Sequence, residues 1–539
     1  MKILILGWFF QPNIGGAETI MKMISKGLNK RDYDVTVVCS GKRFSKEKMN
    51  RIKIVRTPFL DPKIENLNEL KKWFSKFVKD FDVVHCHNLS YPRNVKKSMV
   101  ILKTCNKLGI PIIEHAHNAQ LKTPQMTRKI IRGNFYKIIC VSNFVKNRLE
   151  NIGVKKEKLD VIYNAIDLKL FGPSISTRRI KKEIDSKFPK IFFPGRIVRI
   201  SKFEIGKQKQ FETVAKALKL LKEDGINFTF IIPGVKGQPN ATKDRIKIAE
   251  KIIKNYLKKM DILENTFMFK TFLAVEDMPK IYAVADVVCI PSLNETFGMI
   301  FAEAQAMKKP VIATRTGAAP EVVKGGIFIE PENPMKLAFV IKKLIQNSRL
   351  RKKLGEKGYT YVIRRFNLET LILKVEKIYS SLCNKEIFLV RHPEAKHNAE
   401  NKFGGWWNTP LTKRGKKQEK ELLFYFKNKK LDIVYTSDLK RCRVVAKKIA
   451  RSANCPLIIT PQLRERCYGS AEGKTNNDVE ILPKDVESSS KLNKRIKDFI
   501  KTIKLRKVVI VTHSGPLKIL SNLLSKKKDW KVMVLKIDL

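Results

Sequence analysis

Residues 291–323 read PSLNETFGMIFAEAQAMKKPVIATRTGAAPEVV. The apolar run that ends at Pro291 and the run PVIAT at 310–314 have strand composition, and the segment between them has helical spacing, so the stretch reads as strand, turn, helix, strand. Two strands joined through a helix must lie parallel in a sheet with covered faces. Glu295 and Glu303 lie eight apart with Gly298 between them. Glu303 falls on a helix face, and Glu295 falls in the loop at the helix N-terminus. A carboxylate there can accept from sugar or ribose hydroxyls while backbone N–H groups of the same turn neutralise a diphosphate. The plain alternative is a pair of surface carboxylates that cap a helix and meet lysines.

Outward from this stretch, KIFFPGRI, FTFIIPG, TFMFKTFL, DVVCIPS, PVIATRTG and GGIFIE are strand candidates with helices between them. The first 165 residues repeat the pattern with KILILGWFF, YDVTVVCS, FDVVHCHN and GIPIIEHAHN. Between Phe171 and Lys190 the composition turns to Gly, Pro, Ser and Lys, a linker signal. The fold class is α/β: two Rossmann-like domains, 1–175 and 176–382, facing each other across a cleft, with closing helices after 337, and a third α/β unit at 386–539.

Nine cysteines without a CxxC pair indicate a reducing compartment. The apolar run Ile3 to Phe10 is too short for a membrane span or a signal peptide, so a cytoplasmic protein is expected. The net charge of +58 is spread through segments such as KKEIDSK and SKKKDWK. Such a field attracts any polyanion. No zinc-finger, RNP-like or homeodomain-like pattern accompanies it, which argues against specific nucleic-acid binding and leaves peripheral attachment to the anionic cytoplasmic membrane face.

QPNIGGAE, residues 11–18, follows the first strand and opens a helix. Gly15 and Gly16 let a ligand approach the backbone, and the helix N-H groups can receive phosphate or sugar oxygens. Four histidines form two HxH pairs, His85/His87 and His115/His117, each at a strand end. Alternate strand residues share a face, so each pair has some character of a metal site, but neither has an Asp or Cys to complete a ligand set, and no metal is expected.

IGGAE, VIYNAIDLKLF, FPGRI, QKQ, YAVADVVCIPS, ETFGMIFAEAQAMKKPVIAT and GAAPEVV together resemble the group 1 glycosyltransferases, a retaining, nucleotide-sugar-dependent class with the GT-B fold. The resemblance covers residues 1 to about 380. It implies that Arg196 and Lys209 clamp the donor diphosphate, that Glu303 holds ribose hydroxyls and that Glu295 contacts the transferred sugar. Gly15 and Gly16 would approach from the opposite domain, and His117, with His115 as the other candidate, would face the transferred sugar. FPGRI and QKQ are separated by the insert VRISKFEIGK, so Lys202 or Lys207 could stand in for Lys209. Fixed Arg and Lys cations can stabilise a departing nucleoside diphosphate without a metal, and residues 176–382 contain no Asp-x-Asp pair.

The third unit holds LVRHPEAKHN (389–398), GGWWNTPLTKRGKKQ (404–418), VYTSDLKRCRVVAKKIA (434–450), LRERCYGSAEG (463–473) and VVIVTHSGPLK (508–518). Two strand-terminal histidines, two arginines and a carboxylate suit phosphoryl transfer: one histidine attacks, the cations hold the oxygens and the carboxyl protonates the leaving group. These segments resemble the histidine phosphatase superfamily, the phosphoglycerate mutase-like fold. The resemblance implies His392 as nucleophile, Arg391, Arg441 and His513 around the phosphoryl group, Glu465 as acid and base, and Asn398 at the pocket. The family's RHG is RHP here, and Pro393 removes an N–H that could face phosphate. His397 is expected on the helix surface or pocket rim.

The sequence thus describes a bifunctional enzyme that takes a nucleotide sugar as co-substrate, a glycan or lipid-linked acceptor and a phosphomonoester. The competing readings are a glycosyltransferase carrying an inactive phosphatase-like binding module, and a polyanion-binding protein.

Overall fold

The computed structural model describes residues 1–12, 15–90, 94–118, 128, 135–195, 197–199, 204–205, 207–234, 242–269, 277–383, 385–429, 431–503, 507–525 and 530–535. The chain divides into two compact units. One comprises Met1–Leu70, His85–Val100 and Ile113–Val375; the other comprises Lys71–Val84, Ile101–Ile112 and Glu376–Leu539.

The first sheet has eight strands: β1 (Lys2–Gly7), β2 (Asp34–Ser40), β3 (Ser45–Met49), β4 (Ile52–Thr57), β5 (Val83–His87), β6 (Ile112–Ala116), β7 (Lys137–Cys140) and β8 (Leu159–Val161). Their order is β3-β4-β2-β1-β5-β6-β7-β8, and β3 runs antiparallel to β4. β1 is almost wholly buried, which explains its continuous apolar sequence, and β5 is buried throughout with two histidines in it. The helix Gly16–Asn29 starts directly after β1 and buries Ile20, Met21, Ile24 and Leu28 on one face.

The next sheet is built from β9 (Lys190–Phe192), β12 (Thr229–Ile232), β13 (Thr266–Met268), β14 (Val287–Ile290), β15 (Val311–Thr314) and β16 (Gly326–Ile329), in the order β13-β12-β9-β14-β15-β16. A small antiparallel pair, β10 (Val198–Arg199) and β11 (Glu204–Ile205), lies outside it. Every strand pairing of the six-stranded sheet among the described residues is parallel. In the helix Phe211–Glu223, Phe211, Val214, Leu218 and Leu221 recur at helical spacing and pack with Leu337, Ile341 and Leu344 of the helix Pro334–Gln346. Each such buried side chain contributes about 1.5–3 kcal/mol of transfer free energy.

The third sheet lies in the second unit. Its strands are β17 (Lys385–Arg391), β18 (Ile433–Thr436), β19 (Leu457–Ile459), β20 (Lys507–Thr512) and β21 (Trp530–Leu535), ordered β19-β18-β20-β17-β21 and all parallel. Ile387 and Leu389 face one apolar core, and Phe388 and Val390 face the other. Both faces are covered, so the strand needs apolar residues at every position.

Candidate functional sites

Register makes the site in the second unit. β17 pairs with β20 so that Arg391 lies opposite Thr512, and the His392 N–H donates to the Thr512 carbonyl at 2.9 Å. The next residues, His392 and His513, therefore emerge side by side at the C-terminal edge of the sheet, their ring centroids 5.0 Å apart. Both are buried. Burial, reinforced by Arg441, holds His392 well below the usual imidazole range; burial, followed by His392 and then Arg441, does the same to His513.

Arg441 enters from the first turn of the helix Lys440–Ser452 and is 1% exposed. Its Nε donates to His392 Nε2 at 3.3 Å and to His513 Nδ1 at 3.2 Å. Its Nη1 and Nη2 donate to the carbonyls of Trp407 and Gly405, both at 2.7 Å. Gly405 has φ +37, and a Cβ there would sit 2.0 Å from the Glu472 carboxylate, which is why that turn begins with glycines. Arg391 is half-buried, and its Nε finds no hydrogen-bond partner among the described residues. His392 Nδ1 lies 2.7 Å from the Pro393 carbonyl. A carbonyl only accepts, so Nδ1 carries the proton and Nε2 keeps its lone pair.

The Glu465 carboxylate accepts from the Gly515 N–H at 3.2 Å and the Arg466 N–H at 2.9 Å, which ties it to the turn after His513. Asn398 uses its Oδ1 to accept from the Ala395 N–H at 3.1 Å and so shapes the turn after His392. Of the two places expected for His397, the helix surface is the one that fails: it is buried beside the pocket, its ring centroid 6.0 Å from that of His392, with Nδ1 2.5 Å from Thr409 Oγ1. Gly404 permits this, since a Cβ there would meet the His397 ring at 2.2 Å. Trp406, which the sequence reading passed over, donates its indole N–H to the Glu465 carbonyl at 2.9 Å and stacks under Arg464. Its signal was the GGWWN segment.

In the first unit a cleft of about 1560 Å³ brings together Gly15, Gly16, His117, Lys209, Glu295 and Glu303. Lys209 pairs with the Glu295 carboxylate. Glu295 is held by its turn: the Ala318 N–H donates to its carbonyl at 2.8 Å, and Gly317, at φ +57, approaches its backbone so closely that a Cβ would come within 2.4 Å. Glu303 lies on the helix Met299–Ala306 and accepts from the buried Tyr282 hydroxyl at 3.0 Å. Burial and this carboxylate push the Tyr282 phenol well above its usual range. Gly16 approaches Met299 across the cleft, where a Cβ would lie 3.6 Å from its side chain. Arg196 and Lys202 lie outside the described residues, whereas Lys207 opens the turn that carries Lys209.

His117 lines the cleft and His115 does not. The His117 N–H donates to Asn88 Oδ1 at 2.9 Å, and its carbonyl accepts from Thr296 Oγ1 at 2.7 Å. Burial pushes its imidazole down to about 3. The two HxH pairs are not separate, because β5 and β6 are neighbours and their four rings stack.

With this geometry established, three family matches divide the chain. Residues 14–170 match the Glycosyltransferase Family 4 description, residues 175–361 match Glycosyl transferases group 1, and residues 387–538 match the Histidine phosphatase superfamily, branch 1. The chain carries glycosyltransferase domains and a histidine phosphatase domain. An uncharacterized glycosyltransferase of Methanocaldococcus jannaschii is 28% identical over 401 residues, spanning 71% of this chain and 99% of its own. The MMP alpha-(1->4)-mannosyltransferase of Mycolicibacterium hassiacum is 22% identical, over 70% of this chain and 98% of its own. Among solved structures, Anabaena HepE in complex with UDP and glucose superposes with a TM-score of 0.57 at 19% identity, over 71% of this chain and all of its own. The glycosyltransferase part has the GT-B fold, with the cleft between its two mainly parallel sheets. No helix among the described residues is long and apolar enough to cross a membrane.

Proposed function

We propose that the histidine phosphatase domain hydrolyses a phosphomonoester through a phosphohistidine, and that the glycosyltransferase domains transfer a sugar from a nucleotide-sugar donor with retention of configuration. The observation that carries the first half is the tautomer of His392. With Nδ1–H held by the Pro393 carbonyl, the lone pair of Nε2 accepts from Arg441 Nε in a site walled by Arg441, His513 and Arg391, and it is freed for attack when phosphate oxygens take that donor. Nε2 attacks phosphorus and the P–O bond to the leaving group breaks. Glu465 gives the leaving oxygen its proton, then takes one from the water that releases phosphate from His392. Phosphate oxygens would also supply the acceptor that Arg391 Nε lacks. Pro393 keeps the carbonyl this arrangement needs, so the loss of its N–H leaves the nucleophile oriented.

For transfer, the donor's sugar–phosphate bond breaks with its electron pair going to the nucleoside diphosphate, and the acceptor hydroxyl oxygen bonds to the same face of the sugar carbon while its proton passes to the departing diphosphate oxygen. Lys209, together with Arg196, would neutralise the diphosphate, with no metal needed at that clamp. Glu303 would hold the ribose, Glu295 and His117 the sugar, and Gly15 and Gly16 would give the acceptor side close access. The UDP and glucose bound to the Anabaena relative support a nucleotide donor of this kind. The acceptor would be a glycan or a lipid-linked one, and a cytoplasmic location at an anionic membrane face suits the net charge of +58.

The test is incubation with a panel of nucleotide sugars, reading nucleoside diphosphate release and, by NMR, the anomeric configuration of the product. One donor should react with retention. Release from no donor, or an inverted product, would overturn the transfer proposal.

A further inference from the structure

His85, His87 and His115 come together in the interior behind the cleft. One ring nitrogen from each lies within 4.8 Å of the others. His85 and His87 share a face of β5, and His115 projects from the adjacent β6, so the ligand set crosses strands and no single sequence motif contains it. The rings stack with centroids 4.9 Å apart for His85 and His87, 5.4 Å for His85 and His115, and 5.0 Å for His87 and His115. All three are buried.

Two of the three rings keep a buried nitrogen that is not satisfied. His85 Nε2 lies 3.3 Å from His115 Nδ1, and His87 Nδ1 lies 2.8 Å from His117 Nε2. That leaves Nε2 of His87 and Nε2 of His115 buried with no hydrogen-bond partner among the described residues. An unsatisfied buried polar atom costs about 1–3 kcal/mol, and a fold seldom carries two in one cluster without a ligand.

We propose that His85, His87 and His115 bind one divalent transition-metal ion of the zinc class. Three neutral imidazoles are the donor set such ions prefer, while calcium and magnesium demand oxygen ligands. Nitrogens bound tetrahedrally to one zinc ion at about 2.0–2.1 Å lie about 3.4 Å apart, so the cluster needs a contraction of up to about 1.4 Å to close. The site is distinct from the proposed donor clamp of Lys209 and Glu295, and it departs from the sequence expectation of no metal, which weighed each HxH pair alone.

The ion would also set the tautomer of a cleft residue. With Nε2 of His87 on the metal, its Nδ1 keeps a proton and donates it to His117 Nε2, which leaves the His117 proton on Nδ1. His117, the residue proposed to face the sugar, would then be a fixed hydrogen-bond donor. That consequence rests on the transfer proposal; the metal site does not.

The test uses the untagged full chain, stripped with chelator, then titrated with Zn²⁺ and assayed for bound metal after gel filtration. One equivalent should be retained by the wild type, with a rise in thermal midpoint, and it should be lost in the double variant His85→Gln/His115→Gln. Co²⁺ in place of zinc should give a tetrahedral nitrogen-ligand spectrum without a thiolate charge-transfer band. No uptake by the wild type would overturn the proposal whether or not the double variant folds. Equal uptake by that variant, a thiolate band, or uptake abolished by His392→Ala would overturn it as well. Transfer activity enters none of these readouts, so the site and the donor assignment fail separately.

Discussion

His392 turns its Nδ1 onto the carbonyl of Pro393, the residue that departs from the family's RHG, at 2.7 Å. The contact uses the carbonyl and not the N–H, so the substitution spares the contact that would orient the proposed nucleophile. Pro393→Gly should therefore change phosphatase kcat by less than about tenfold, while His392→Ala should abolish turnover. Steady-state kinetics on one phosphomonoester checks both.

Arg441 ties two imidazoles to two carbonyls through one guanidinium. An ammonium cannot reproduce that fork. Arg441→Lys should lower phosphatase kcat/KM by about 10²-fold. Arg441→Ala, which leaves the Gly405 and Trp407 carbonyls without their donor, should cost about 2–4 kcal/mol of stability in denaturant titrations.

The histidine phosphatase domain should lose stability in mild acid. Burial holds His392, His397 and His513 below the ordinary value, His397 at about 4. The unfolded chain takes up protons near pH 6.5 and the folded chain does not, so ν_U exceeds ν_N as pH falls through that range and unfolding becomes easier. Stability is fully present above about pH 6.5 and declines below it. Hydrogen exchange of the β17 and β20 amides in the full chain should be faster, relative to intrinsic rates, at pH 5.5 than at pH 7.5; equal protection would contradict this.

In the cleft, Lys209 pairs with Glu295, a partner that a donor diphosphate would replace. Lys209→Met should reduce sugar transfer kcat/KM by about 10²-fold and leave phosphatase turnover unchanged. The parallel variant Arg196→Ala should do the same. Transfer at the wild-type rate in both would remove the clamp from the account.

What the sequence disclosed and what it hid follow from the same geometry. Arg391, His392 and His513 were legible because parallel strands end on one side and their apolar runs show where each ends. The turn that fixes Glu295 was legible through Gly298 and the segment that follows. Contacts that join distant segments left no local trace: the Tyr282 hydroxyl on Glu303, the Trp406 indole on the Glu465 carbonyl, and the union of two HxH pairs into one stack. The helix-surface alternative for His397 failed because Lys396 and Glu400 give its helix a polar look, whereas Gly404, a residue from the next turn, opens the space that buries it.

Phosphoryl transfer to His392 is tested most directly by rapid quench of the full chain with labelled phosphomonoesters, followed by peptide mapping. The predicted result is an acid-labile, base-stable label on the peptide containing His392, formed before phosphate release and absent from His392→Ala. Label on any other residue, or no label and no turnover across varied phosphomonoesters, would contradict it.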